Sequence, residues 1–96
     1  MKNSSWYLYI IRTKFGTLYT GITTDVDKRF KTHLDGKGAK FLRGKAPLTL
    51  EFSVEAGNKS SASKLEIRIK KLTKAKKEKL ILDKPLDLLI YLGYNK

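Results

Sequence analysis

From Trp6 to Thr13 the chain is rich in aromatic and β-branched residues, apolar at odd and even positions alike, which predicts a central strand buried on both faces. Lys14-Phe15-Gly16 reads as a turn and Thr17 to Thr23 as a second strand, so the two make a hairpin. Gly21 inside that second run marks a bend or the close approach of another group to the backbone. Thr24 and Asp25 then offer N-cap oxygens, and Asp27 suits the first turn of a helix. Val26, Phe30 and Leu34 recur at helical spacing, predicting a helix over 25–35 that packs this stripe on the sheet. Gly36 stops it, and 36–47 is a glycine-punctuated basic loop. Leu48 to Glu55 alternates, with Leu48, Leu50, Phe52 and Val54 apolar, as a half-buried third strand does. Beyond the Gly57-Asn58 turn, Ser60 or Ser61 is placed to cap a helix reaching about Leu72, with Ala62, Leu65, Ile69 and Leu72 inward. Thr73 is placed to cap another from Lys74 to about Leu82, and Pro85 interrupts the pattern. The expected architecture is α+β: a small three-stranded antiparallel sheet flanked by helices, in the order ββαβαα. One domain spans 1–84, and 85–96 is a short apolar C-terminal tail.

Charge sharpens this picture. Lys and Arg number 21 against 9 Asp and Glu, a formal net charge of +12 on 96 residues. A domain this small and basic attracts polyanions, through phosphate contacts that are salt-sensitive and blind to sequence. The charge is also clustered: Gly36 to Leu50 holds Lys37, Lys40, Arg43 and Lys45 and no acid. Nucleic acid, DNA or RNA, is the expected partner. Apolar runs such as Leu86 to Leu92 fall far short of a membrane span. The polar start, Asn3-Ser4-Ser5, does not resemble a signal peptide, and with no cysteine in the chain a cytoplasmic location is expected.

Some side chains suit chemistry at a phosphate. Arg29 and His33 are four apart and share one side of a helix, His33 nearly in line with the inner stripe and Arg29 flanking it. A core-edge histidine and an arginine paired with Asp25 would have the same spacing. Tyr9 and Tyr19 lie on neighbouring strands, where tyrosine is also a favoured structural residue. An unperturbed tyrosine of pKa near 10 is about 99.9% protonated at pH 7, roughly 4 kcal/mol from its base form. Arg29, a bound metal and the basic field are expected to lower that value. Glu66 is the one acid between Gly57 and Lys77. It sits about 80° from the centre of its helix's inner stripe, where it could pair with Lys70 or serve as a single carboxylate for Mg²⁺. A lone histidine without cysteine excludes a zinc site of the usual ligand set, and Gly36-Lys37-Gly38 lacks the ending of a P-loop.

Taken in order, these residues resemble the GIY-YIG nuclease superfamily, above all its small stand-alone YhbQ-like branch, related to the N-terminal nuclease module of the repair protein UvrC. The first motif reads Tyr7-Leu8-Tyr9 and the second Tyr19-Thr20-Gly21. The likeness continues through Arg29, Thr32-His33, Gly36 to Lys40 and the helix of Glu66, nearly the whole chain. The resemblance implies single-metal hydrolysis of DNA phosphodiesters. Tyr9 or Tyr19 would assist the general base, and Arg29 would stabilise charge on the phosphoryl oxygens. His33 would hydrogen-bond water, phosphate or a tyrosine hydroxyl, and Glu66 would hold Mg²⁺ or Mn²⁺. Tyr7, Gly21 and Thr23 stand as supporting residues. The chain departs from the pattern in three places: Tyr7-Leu8 replaces Gly-Ile, Ile22 stands where the repair module has lysine, and Asn95 is the only late asparagine. The expected function is a Mg²⁺-dependent endonuclease, directed by DNA structure or damage rather than sequence, serving repair or recombination. The alternative is a non-catalytic nucleic-acid-binding module with a vestigial site.

Overall fold

A computed structural model describes residues 5–93, so Asn95 lies outside the described residues. The sheet has three strands, β1 (Tyr7–Arg12), β2 (Leu18–Thr23) and β3 (Thr49–Glu55), in the order β2-β1-β3 and antiparallel throughout. The strand apolar on both faces is indeed the central one. Helix α1 (Val26–Leu34) follows β2, and a 3₁₀ turn (Lys40–Leu42) lies inside the basic loop. After β3 come α2 (Lys59–Lys70), α3 (Lys74–Asp83) and a short α4 (Leu88–Tyr91).

Each face of the sheet has its own core. Leu8 and Ile10 point to the side covered by α2, α3 and α4, among Phe52, Val54, Ala62, Leu65, Ile69, Leu80 and Leu88. Tyr9 and Ile11 point the other way, under α1 and the basic loop, with Leu42, Leu48, Val26 and Phe30. The third strand serves both. A register shift between Ile10 and Ile11 pairs Phe52 with Ile10 but Leu50 with Ile11, leaving Glu51 as the extra residue. The apolar set expected on one face is therefore split, with Leu48 and Leu50 joining Tyr9, and Phe52 and Val54 joining Leu8.

Local signals set the boundaries. The Asp25 carboxylate accepts from the Lys28 amide at 3.0 Å and caps α1, and Thr73 caps α3 in the same way. The cap of α2 is Asn58 rather than either serine, two or three residues earlier than expected: its Oδ1 accepts from the Ser61 amide at 2.8 Å. Leu34 is exposed, not part of the inner stripe, and His33 is the residue buried on α1. At about 100° per residue, a stripe drawn through every fourth position drifts by about 40° each step, so Leu34 has rotated off the sheet while His33 has not. The stretch beyond residue 84 folds back: Leu88 enters the larger core, and the Tyr91 hydroxyl donates to Asp83 at 2.6 Å. That hydrogen bond pushes the Tyr91 pKa up to about 12 and holds that of Asp83 down.

Arg12 ties the layers together at the end of β1. Its Nη1 and Nη2 each donate to Glu78 of α3 at 2.6 Å, and its Nε donates to Glu51 at 2.7 Å. The bidentate guanidinium holds the Glu78 carboxyl below its ordinary value of 4.5. Carboxylates lowered in this way stabilise the fold above that ordinary value, and the contribution is lost as pH falls through the depressed folded value. Arg12→Met is expected to cost about 1.5–3 kcal/mol in urea unfolding at pH 7 and to flatten the acid-side decline in stability. A second expectation concerns Gly21, the register partner of Tyr9, where a Cβ would meet Tyr9 Oη at 2.5 Å. Since Tyr9 is enclosed, Gly21→Ala should destabilise by about 1–3 kcal/mol in the same assay.

Candidate active site

The sheet face beneath α1 gathers the aromatic residues. Tyr9 projects from β1 across Gly21, and Tyr19, the register partner of Ile11, stands diagonally beside it with ring centroids 6.3 Å apart. His33 descends from α1 to within 5.8 Å of the Tyr9 ring and 5.7 Å of the Tyr19 ring, centroid to centroid. Only 2% of Tyr9 and 3% of His33 is exposed. Gly21 thus answers to a close approach: the Tyr9 phenol occupies the place a side chain would take.

The hydrogen bonds around His33 fix its protons. The Ala39 amide donates to Nδ1 at 3.2 Å, so that nitrogen carries a lone pair. Nε2 then holds the proton of the neutral ring and donates to the Tyr9 hydroxyl oxygen, 2.9 Å away. Burial first, and Arg29 second, lower the His33 pKa and favour this neutral state. Gly38 makes the contact possible. A Cβ there would overlap His33 Nδ1, so the loop backbone closes on the imidazole only because residue 38 has no side chain.

The Tyr9 phenol moves opposite to expectation. Burial raises its pKa above 10.0 and outweighs the neighbouring Arg29 guanidinium, which lowers it; Tyr19 and Glu66 push in the same direction as burial. The +12 net charge does not overturn this, because solvent screens distant lysines while desolvation acts on the phenol itself. Tyr9 is therefore a neutral phenol whose oxygen faces an imidazole N–H, with the Arg29 charge acting on it from nearby.

Arg29 is half-buried, and the Asp25 carboxylate that could have paired with it caps the helix instead. Glu66 sits on α2, which packs against β2 and β1. Its side chain is 22% exposed and pairs with Lys70 Nζ at 3.1 Å. The same ammonium lies 6.0 Å from the Tyr19 ring centroid, so the pair borders the aromatic cluster. Among the described residues no three His, Cys, Asp or Glu side chains cluster as a metal cage. A single carboxylate still suits Mg²⁺, which is commonly held by one or two carboxylates, waters and substrate phosphate oxygens.

Other residues frame the site. Tyr7 and its register partner Thr23 lie at the end of this face away from Tyr19, and Thr23 Oγ1 accepts from the Asp25 amide at 3.1 Å, setting the entry into α1. Lys37, Lys40 and Arg43 are exposed along the loop, whereas Lys45 is half-buried with Nζ 3.6 Å from the Phe41 ring centroid. Phe41, which the sequence pattern did not single out, stacks on Tyr19 with centroids 5.9 Å apart. The signal for it was an aromatic residue inside a basic loop.

Comparison with known proteins identifies the family. Residues 5–79 match the family model described as the GIY-YIG catalytic domain. UPF0213 proteins of Yersinia pestis (strain Pestoides F) and Yersinia pseudotuberculosis serotype O:3 (strain YPIII) are each 59% identical over 85 residues, covering 88% of this chain and 90% of theirs. The solution NMR structure of the UPF0213 protein BH0048 from Bacillus halodurans aligns with a TM-score of 0.55 at 44% identity, over 83% of this chain and 85% of that one. Tyr9, Tyr19, Arg29, His33 and Glu66 all lie within the matched stretch, and the chain belongs to the GIY-YIG family.

Proposed function

We propose that this chain is a Mg²⁺- or Mn²⁺-assisted endonuclease that hydrolyses DNA phosphodiester bonds, selecting DNA by structure or damage in repair or recombination. The observation that carries the reading is the buried Tyr9 oxygen, 2.9 Å from the His33 imidazole nitrogen, with the Arg29 guanidinium near enough to act on its proton. The imidazole is a donor that would stabilise a phenolate and is already in place, and the positive charge of Arg29 would add to it.

Tyr9 would take the proton of the attacking water once its own proton has left, and His33 and Arg29 would hold the resulting charge. These two donors favour Tyr9 over Tyr19 as the base, leaving Tyr19 to orient the water. The Arg29 guanidinium is also suited to the phosphoryl oxygens, where negative charge grows. Glu66 would hold the metal, which when bound supplies Lewis acidity and support for the leaving oxygen. Lys37, Lys40, Arg43 and Lys45 would grip the phosphates on either side, with no means of reading bases in the grooves.

The binding-module reading draws on one observation: the Glu66 carboxylate is already engaged by Lys70. Such an i,i+4 pair is worth only about 0.3–0.5 kcal/mol, however, and a divalent cation outcompetes an ammonium on a flexible stem.

In a nicking assay on supercoiled and branched DNA, Tyr9→Phe is expected to lower the rate by about 10²–10⁴-fold, with a stability loss of about 1–3 kcal/mol from the buried His33 N–H left without its acceptor. Wild-type activity should climb with pH across the neutral range, because the raised phenol must give up its proton. A rate equal to wild type in Tyr9→Phe would remove Tyr9 as the base. Glu66→Gln should abolish the metal-dependent part of the cleavage while DNA binding persists. Equal cleavage by wild type and Glu66→Gln on every substrate would leave the binding-module reading.

A further inference from the structure

The aromatic row that begins at Tyr9 reaches the surface at Phe41, whose ring stacks on Tyr19 at an interplanar angle of 22° and is 45% exposed. Burial does not explain this placement, because the next residue, Leu42, already anchors the loop in the core. The loop then meets the β1–β2 turn, where the Lys14 amide donates to the Lys45 carbonyl at 3.0 Å. On that turn Phe15 is 66% exposed, with Lys14 Nζ 5.1 Å from its ring centroid. Phe41 carries the Lys45 ammonium in the same way at 3.6 Å. Isolated exposed phenylalanines need no explanation. Two of them on adjoining segments, each beneath an ammonium and one stacked on a site tyrosine, form an ordered series.

We propose that Phe41, and beyond it Phe15, are stacking stations for unpaired bases of single-stranded DNA running out of the active site. This deepens the nuclease reading and rests on it, by naming the DNA structure that the site prefers. Every base has a π-face, so stacking tolerates any sequence, and a lysine-lined groove with interleaved aromatics follows a backbone without reading it. The ammoniums of Lys45 and Lys14 ride on flexible stems. When a base takes the ring face, they swing to the flanking phosphates. An intact duplex cannot use these stations, because both faces of each base are covered by neighbours until the base leaves the stack. The preferred substrate is therefore a strand with unstacked bases beside the scissile phosphate, as at a flap, a bubble or a single-stranded tail.

The test is equilibrium binding of the full chain, without divalent metal, to a labelled single strand of about 12 nucleotides and to a blunt duplex of equal length. Phe41→Ala should weaken single-strand binding by about 5- to 150-fold and change duplex binding by less than about twofold. Phe41→Leu, which keeps an apolar side chain against Tyr19, should lose as much as Phe41→Ala, and Phe41→Trp should retain wild-type affinity. Single-strand binding by Phe41→Leu equal to wild type would overturn the proposal, as would equal losses on both DNAs. The two readings fail separately. Absence of cleavage by wild type removes the nuclease but not the stations, and cleavage with single-strand affinity indifferent to Phe41 removes the stations but not the nuclease.

Discussion

A phenol oxygen and an imidazole nitrogen lie 2.9 Å apart and almost closed to water, and much of the fold exists to keep them there. The Tyr9 phenol can reach over β2 because its register partner, Gly21, has no side chain. His33 keeps one tautomer because the loop backbone passes against Nδ1 at Gly38 and Ala39. Two absent side chains, 17 residues apart on opposite sides of one ring pair, thus set both the position and the proton of the site. The cost is a buried polar pair, tolerable because the imidazole uses both nitrogens.

Burial and charge act against each other at that pair, and burial wins on both partners. It raises the phenol and lowers the imidazole, so neither is ionised near neutrality. Arg29 divides the two effects, reinforcing burial at His33 and opposing it at Tyr9. The pair is accordingly held in its uncharged form.

Much of this was legible along the chain, because local rules decide local features. A strand apolar on both faces reads as central, Thr24, Asp25 and Thr73 offer caps of which Asp25 and Thr73 are used, and Gly21 signals a bend or a close approach, the latter being the one found. Tertiary context decided the rest. Whether Glu51 bulges depends on Ile10 and Ile11 across the ladder, and the bulge sends the even-numbered residues of β3 into two cores. The closure of Gly38 and Ala39 on His33 joins a loop to a helix by backbone contact, which leaves no periodic trace. The direction of the Tyr9 pKa depended on how completely one ring is enclosed, a quantity that net charge does not report. Phe41 escaped notice because a basic loop draws attention to its lysines.

The protonation pattern of the His33 ring tests the central claim most directly, and NMR of the side-chain nitrogens in the free, full-length chain reports it. The expected result is a neutral ring near pH 7 with the proton on Nε2, a bare Nδ1, and protonation only below the ordinary histidine value of 6.5. The same Nε2 proton should show a through-hydrogen-bond or exchange-protected signal that weakens in Tyr9→Phe. A proton resident on Nδ1, or a doubly protonated ring at pH 7, would contradict it, because the Ala39 amide would then face a donor and the Tyr9 oxygen would not be held as described.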